Sequence, residues 1–545
     1  MKSLCRILPL FCLLLLLLCA CHKDTPDASG RYVLNSKGEA ILNDPDCAAA
    51  VASEDNYRVF YEIFVGSFSD SDGDGTGDLR GVINRMDYLN DGSSADGQSL
   101  GIEGIWLSPI FKSQSYHKYD VNDYYTIDPA FGTMEDLSEL AALCHERGVK
   151  LILDLPINHT GILNPWYGSF VKARRAGDTE SPYYDFYVCC AQGEAPAGRT
   201  FASIAGTDLL YECNFSQNMP ELNFDSEAVR QAVLDVARYY LELGVDGFRF
   251  DAAKYIYLGE NARSADFWLW YIGELKKIDP EIYTVAEVWD SDGVTDQFYP
   301  ALNCFDFTTS QTDGLIAQTA KKGNVNVYTA YVEQYLNKIH SLNPDSMIVP
   351  FIANHDTDRA AGYLPVANSF MQMAANLYIL SSGSPFLYYG EEIGMRGSRG
   401  GDNTDANRRL AMLWGDDDKI SDPPGSTYDA GNQVQSTVAA QLADGDSLLS
   451  YYKRLIMIRK ANPEIARGEY HALSFPNTKL GGFTATWQGS TVCVLHNTTG
   501  SAITVDLSQV TDQRFETISA AIGQGGAELN GTELTLDSAT SVVLR

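Results

Sequence analysis

Positive charge is what this chain lacks most. Its 40 Lys and Arg stand against 71 Asp and Glu, a formal net charge of −31. Nucleic acid binds through basic surface that displaces counterions, so it is excluded as a partner. The charge favours solubility and a neutral or cationic partner but does not specify a fold. Cysteine is sparse as well. After Cys21 only Cys47, Cys144, Cys189, Cys190, Cys213, Cys304 and Cys493 follow, which is not the density of a disulfide scaffold. A Cys190–Cys213 or Cys189–Cys213 bridge and buried free thiols are both compatible with the sequence, and no C-x-x-C pair suggests zinc. Long hydrophobic runs are limited to one, Ile7 to Leu18, too short and wrongly flanked to span a bilayer. No fixed-period repeat is present.

That single run carries information. Lys2 and Arg6 precede it, as in a secretion signal. It ends in "LCAC", which resembles a bacterial lipobox with Cys21 as the lipid-bearing first residue of the mature chain. The expectation is a signal peptide over 1–20, a polar tether over 21–50, and a protein anchored by lipid in a bacterial cell envelope. Lys23 and Asp24 resemble outer-surface export signals, which points to the outer membrane.

A chain of 545 residues exceeds one ordinary core and implies roughly two to four domains. Strand-like segments recur at 58–65, 101–110, 149–159, 245–250, 282–289, 302–308, 347–356 and 384–392. Helical patterns such as "MEDLSELAALCHERG" (134–148) and "EAVRQAVLDVARYYLELG" (227–244) lie between most of them. Eight strands alternating with helices predict a closed (β/α)₈ TIM barrel, in two parts at 51–159 and 227–462. Residues 160–226, without helical periodicity and rich in Gly, Pro, Tyr and Ser, read as a small inserted domain after the third strand. Residues 463–545 read as an all-β sandwich.

In "VDGFRFDAAKY" (245–255), Arg249 and Asp251 interrupt a strand that should be nearly continuously apolar. Other strands end similarly: Asp154, Asn158 and His159 on the third, Glu287 on the fifth, His355 and Asp356 on the seventh. In such barrels the carboxyl ends of the strands build the active site, so these residues point into a mouth and not a core.

Those segments resemble the alpha-amylase family, glycoside hydrolase family 13, from about residue 57 onward. "DLPINH" (154–159), "GFRFDAAK" (247–254), "AEVW" (286–289) and "FIANHD" (351–356) are similar to its four ordered regions. "YHKYDVNDYYTIDPAFGT" (116–133), "MPELN" (219–223) and "SPFLYYGEEIGM" (384–395) resemble further family segments. The resemblance implies Asp251 as nucleophile, Glu287 as general acid/base and Asp356 as the transition-state stabiliser. It implies that Arg249 aligns Asp251, that His117, His159 and His355 bind sugar hydroxyls, and that Tyr119 stacks on the sugar ring. The chemistry agrees: retaining cleavage needs two carboxyl groups roughly 5 Å apart, one ionised and one protonated. Arg249 is expected to depress the pKa of Asp251, and the apolar neighbours of Glu287 to raise its own.

"DSDGDGTGDLRG" (70–81) opens like a D-x-D-x-D-G calcium loop, with Asp70, Asp72 and Asp74 as ligands and Asp78 and the Thr76 carbonyl as additions. Gly81 stands where an EF-hand carries Glu, but many family members bind calcium in the loop after the first strand. Many also have Lys-His after the second region, where the histidine serves an interdomain calcium; here Lys254 is followed by Tyr255. The expected activity is hydrolysis of α-1,4 bonds in starch-type glucans or maltooligosaccharides; the resemblance implies this over α-1,6, because in related oligosaccharidases a small residue after the nucleophile, here Ala252, goes with α-1,4 linkages and a valine with α-1,6. A 4-α-glucanotransferase is the alternative on the same site. A non-catalytic carbohydrate-binding barrel would have lost carboxylates that are all present here.

Overall fold

Side-chain alternation builds the central layer. The computed structural model describes residues 32–34, 40–42, 55–92, 99–401, 403–433 and 436–545. The expected signal peptide, Cys21 and Cys47 lie outside the described residues. Barrel strands β1 Phe60–Ile63, β2 Gly104–Leu107, β3 Lys150–Leu155, β4 Gly247–Phe250, β5 Tyr283–Ala286, β6 Asn303–Cys304 and β8 Phe386–Tyr388 pair in parallel in the order 6-5-4-3-2-1-8. The seventh member, β7 at 349–351, joins by single parallel bridges, Phe305 to Val349 and Phe351 to Phe386, and these close the ring. Pro350 has no N–H to give a ladder, which accounts for so thin a strand.

Phe60, Trp106, Ile152, Tyr283, Val285, Phe305, Val349, Phe351 and Phe386 fill the interior as one buried cluster. The alternate residues, such as Tyr61, Leu151, Leu153, Phe248 and Phe250, face outward into the larger core shared with the helices. Gly247 keeps the seam open: a Cβ there would lie 1.9 Å from the Tyr283 carbonyl oxygen. Helices Met134–Glu146, Glu227–Glu242, Asn261–Leu275 and Val325–Leu342 belong to the outer ring. The first begins at a capping box in which Thr133 and Asp136 satisfy each other's backbone N–H.

Between β3 and helix Glu227–Glu242 lies a three-stranded antiparallel sheet, Cys189–Ala191, Phe201–Ser203 and Leu209–Glu212. The insert also contains a helix, Pro165–Ala176, which the sequence reading did not expect. Cys189, Cys190 and Cys213 are free thiols, so neither candidate bridge is formed. The expected tether is not wholly polar chain: Tyr32–Leu34 and Ala40–Leu42 form an antiparallel hairpin against strand Ile518–Gly523.

At the C-terminus a five-stranded and a three-stranded antiparallel sheet face each other across a core that includes Leu480, Leu495, Leu534 and Leu544. This sandwich is tied to the barrel by Asn376, whose Nδ2 donates to Ser541 Oγ at 2.8 Å, and by Arg545, whose Nη2 donates to Asn462 Oδ1 at 2.9 Å. Among the described residues no helix is long and apolar enough to cross a membrane.

Candidate active site

The alternation that buries Phe248 and Phe250 outside the barrel turns Arg249 and Asp251 inward, at the carboxyl end of β4. Arg249 is fully buried. Its Nη1 donates to Asp154 Oδ1 and Oδ2 and to Asp251 Oδ1, all at 2.9 Å, and its Nη2 donates to Glu287 Oε2 at 2.7 Å. One guanidinium thus holds three carboxyl groups from three adjacent strands. Glu287 also accepts the Ala252 N–H at 3.1 Å. Ala252 supplies that contact from a left-handed backbone, φ 43°, immediately after Asp251.

The electrostatics differ from expectation at Asp251. Its pKa is raised to about 6, not depressed. Burial is the largest cause; Arg249 lowers it, and the carboxylates of Asp154 and Asp356 raise it again. Glu287 is raised further, to about 7, by burial first and then by Asp251 and Asp356 against the opposing Arg249. Glu287 was expected to be raised and is.

Asp356 is governed by two cations. His355 Nε2 lies 3.0 Å from its Oδ2, and Arg409 Nη2 donates to its Oδ1 at 2.8 Å. Burial alone would raise its pKa, but these partners hold it well below the usual carboxylate range. His355 is fully buried between Asp356 and Glu62; desolvation opposes its charge, yet the two acids raise it to about 10. The imidazole is therefore a cation at neutral pH.

Tyr119 and His117 come from the loop after β2. Lys118 between them has φ 65° and an ion pair to Asp128, and both flanking side chains line the same cavity. Tyr119 donates its hydroxyl to Asp154 Oδ2 at 2.9 Å and stacks on His355, ring centroids 5.6 Å apart. His117 is lowered to about 4, chiefly by burial and then by Arg409. Its Nδ1 accepts the Tyr119 N–H at 3.2 Å, which places the neutral ring's proton on Nε2. His159 is lowered to about 4 by burial, with the Tyr119 backbone beside it, and neither ring nitrogen makes a hydrogen bond of ordinary geometry. A neutral buried imidazole left open on both nitrogens suits a hydroxyl-rich ligand.

The cavity these residues line has a volume of about 720 Å³ and is walled on its far side by Phe215, Tyr255, Trp289 and Asp405. Phe215 packs one face on Tyr255 at 5.0 Å, and Trp289 stacks on Phe307 at 4.8 Å; both remain over 40 % exposed (45 % and 42 %). All eight sequence-predicted catalytic and sugar-binding residues are thus brought to one centre. Sequence reasoning missed Glu62, Arg409, Phe215 and Trp289, and it quoted Asp154 without assigning it a partner. Glu62 was discoverable as a lone acid at period two from Phe60 in an apolar strand; Arg409 sits in a loop without periodic signal.

The acidic loop lies apart from this centre. Carboxylate oxygens of Asp70, Asp72 and Asp78 come within 4.8 Å of one another, a donor set that fits a hard cation. Asp74 stands outside that cluster and instead accepts the Thr76 N–H at 2.7 Å. Asp78 Oδ1 also caps helix Leu79–Asn84 by accepting the Gly81 N–H.

Residues 62–468 match the family model described as the alpha-amylase catalytic domain. Alpha-amylase 3 of Dictyoglomus thermophilum is 34 % identical over 442 residues, 81 % of this chain and 84 % of that protein. A 4-alpha-glucanotransferase of Thermotoga neapolitana is 29 % identical over 453 residues, covering 80 % and 95 %. Among solved structures, Amy13B of Eubacterium rectale superposes with a TM-score of 0.82 at 32 % identity, covering 91 % of this chain and 97 % of that one.

Proposed function

The chain belongs to the alpha-amylase family of glycoside hydrolases, and from that premise we propose a retaining enzyme that cleaves α-1,4-glucosidic bonds in starch-type glucans or maltooligosaccharides. The observation that carries this reading is the Arg249 guanidinium, which holds Asp251 and Glu287 as immediate neighbours on its two terminal nitrogens. In the retaining mechanism an Asp251 oxygen attacks the anomeric carbon while Glu287 gives its proton to the departing glycosidic oxygen. A water then loses its proton to Glu287 and displaces Asp251 from the sugar, restoring both groups. Asp356, kept ionised by His355 and Arg409, faces the positive charge that develops on the ring. His117, His159 and Tyr119 orient the sugar, and Ala252 favours the α-1,4 linkage.

The test is the anomeric form of fresh products together with two variants. NMR within the first minutes should show α-anomers; β-anomers appearing first would exclude a retaining enzyme. Asp251→Asn should abolish cleavage, and Glu287→Gln should lower it by about 10²–10⁴-fold, with the cooperative unfolding transition of a folded protein retained in both. A 4-α-glucanotransferase is favoured as second reading by the exposed rings of Phe215 and Trp289, which offer faces to an acceptor sugar.

Two attachments complete the proposal. Calcium is placed at Asp70, Asp72 and Asp78 with the Thr76 carbonyl, where it would supply structural cross-linking of the loop. A lipid on Cys21 anchors the enzyme in a bacterial envelope, at the outer membrane; Cys21→Ala should release it to the soluble fraction, and a variant that still sediments with membranes would refute the anchor.

A further inference from the structure

Cations in the active-site cavity are all matched: Arg249 by three carboxylates, Arg409 by Asp356, Lys254 by Asp290. A second cavity behaves differently. It has a volume of about 640 Å³ and lies between the loops that follow β6, β7 and β8, behind the segment that carries Asp356. Its wall holds three arginines, Arg359, Arg396 and Arg408, and one acid, Asp358, in a protein of net charge −31.

Arg408 is neutralised by Asp358 at 2.8 Å and Asp405 at 3.0 Å. The other two have no such ion pair among the described residues. Arg359 is 2 % exposed; its Nε and Nη1 donate to the carbonyls of Arg408 and Tyr389, and its Nη2 has no partner. Its guanidinium packs on the Tyr388 and Tyr389 rings, 4.3 and 4.5 Å away, and the buried Glu392 acts on it from beyond ion-pair distance. Arg396 Nη1 reaches the Asn432 carbonyl at 3.3 Å. Among the described residues neither Arg359 nor Arg396 has a carboxylate at ion-pair distance. Two guanidinium groups with no ion-paired carboxylate among the described residues, in one concave site, call for an oxyanion, which guanidinium binds through paired N–H donors.

The remaining wall is suited to a sugar. Its lining includes the aromatic Tyr363 and Tyr428 and the amide-bearing Gln311 and Asn432, a side-chain type able to bond hydroxyls in both directions. A bare phosphate would leave most of the cavity empty. We propose that this second cavity binds a phosphate monoester carried on a sugar. A neutral glucan chain offers these guanidinium groups hydroxyl acceptors but no counter-charge.

Calorimetric titration of the full-length protein tests this, with glucose 6-phosphate, inorganic phosphate and maltose as separate probes. Glucose 6-phosphate should bind one saturable site at least tenfold more tightly than inorganic phosphate. Arg396→Gln should weaken it at least tenfold while glucan cleavage without the ligand stays unchanged. Tyr428→Ala should weaken glucose 6-phosphate but not inorganic phosphate, and it carries the test if Arg396→Gln fails to fold. The proposal is overturned if glucose 6-phosphate shows no saturable binding or binds Arg396→Gln as well as the parent. Equal affinity for inorganic phosphate, or maltose binding that is itself lost in Arg396→Gln, overturns it as well.

Discussion

Arg249 divides one positive charge among Asp154, Asp251 and Glu287, and this division sets the working pH. At both reacting groups burial outweighs Arg249, with neighbouring carboxylates adding to it, and both titrate near neutrality. Cleavage needs Asp251 ionised and Glu287 protonated. Activity should therefore fall below pH about 6, as Asp251 gains its proton, and above pH about 7, as Glu287 loses its own. A plot of kcat/KM against pH should be a narrow bell between these values. A flat optimum from pH 4 to 9 would contradict the arrangement. The residues that react were legible because each sits at a strand end in a quotable motif. Glu62 and Arg409, which set the charge of the His355–Asp356 pair, were not, because their significance exists only after strands β1, β7 and β8 meet in space.

Among the elements, helix Pro165–Ala176 is instructive. Its signals were present: Asn164 caps it, Pro165 opens it, Gly177 closes it at φ 63°, and Tyr167, Phe170 and Ala173 form its buried stripe. They were obscured by the surrounding glycine, serine and tyrosine, which resemble loop chemistry. The barrel strands were legible as apolar runs, but their lengths were overstated, since only the inner few residues pair. The acidic loop was legible as a pattern, whereas the exclusion of Asp74 depends on how the turn closes. That exclusion separates two variants. If calcium sits at Asp70, Asp72 and Asp78, chelation should lower Tm more than it lowers activity measured below the transition, because the ion stabilises the native state it binds. Asp72→Ala should abolish the chelator's effect on Tm, and Asp74→Ala should leave it in place. Calorimetry with and without chelator decides, and an effect that survives Asp72→Ala moves the site elsewhere. Asp78 is unsuitable for this test because it also caps a helix.

At the scale of the molecule, the buried ionisable groups link folding to pH. Glu391, packed beside β8 and accepting from the Tyr378 and Tyr452 hydroxyls, is raised from 4.5 to about 8, by burial above all. His355 is raised from 6.5 to about 10 and Glu287 from 4.5 to about 7. A group whose folded pKa exceeds its unfolded value binds protons on folding. Its stabilisation is complete below the unfolded pKa and is lost as pH rises through the folded one. His117 and His159, lowered to about 4, act oppositely, but only between that value and 6.5. Above pH 6.5 these two are neutral in both states, and Glu391, His355 and Glu287 act in one direction. The melting temperature should therefore decline from pH 6.5 to pH 10, first through Glu391 and Glu287 and then through His355, joined near pH 9 by the buried thiols of Cys144, Cys304 and Cys493, which burial raises, and opposed there by Arg459, which burial lowers to about 9. Glu391→Gln keeps an oxygen acceptor for both tyrosines and removes the proton. The decline between pH 6.5 and 8 should shrink by more than about 2 °C in that variant, since about 1 kcal/mol shifts Tm by roughly 2–4 °C in domains of 150–250 residues. The slope from pH 8 to 10 should be unchanged, because His355 still titrates there. Parallel curves for the variant and the parent across the whole range would mean that Glu391 does not hold its proton in the folded state.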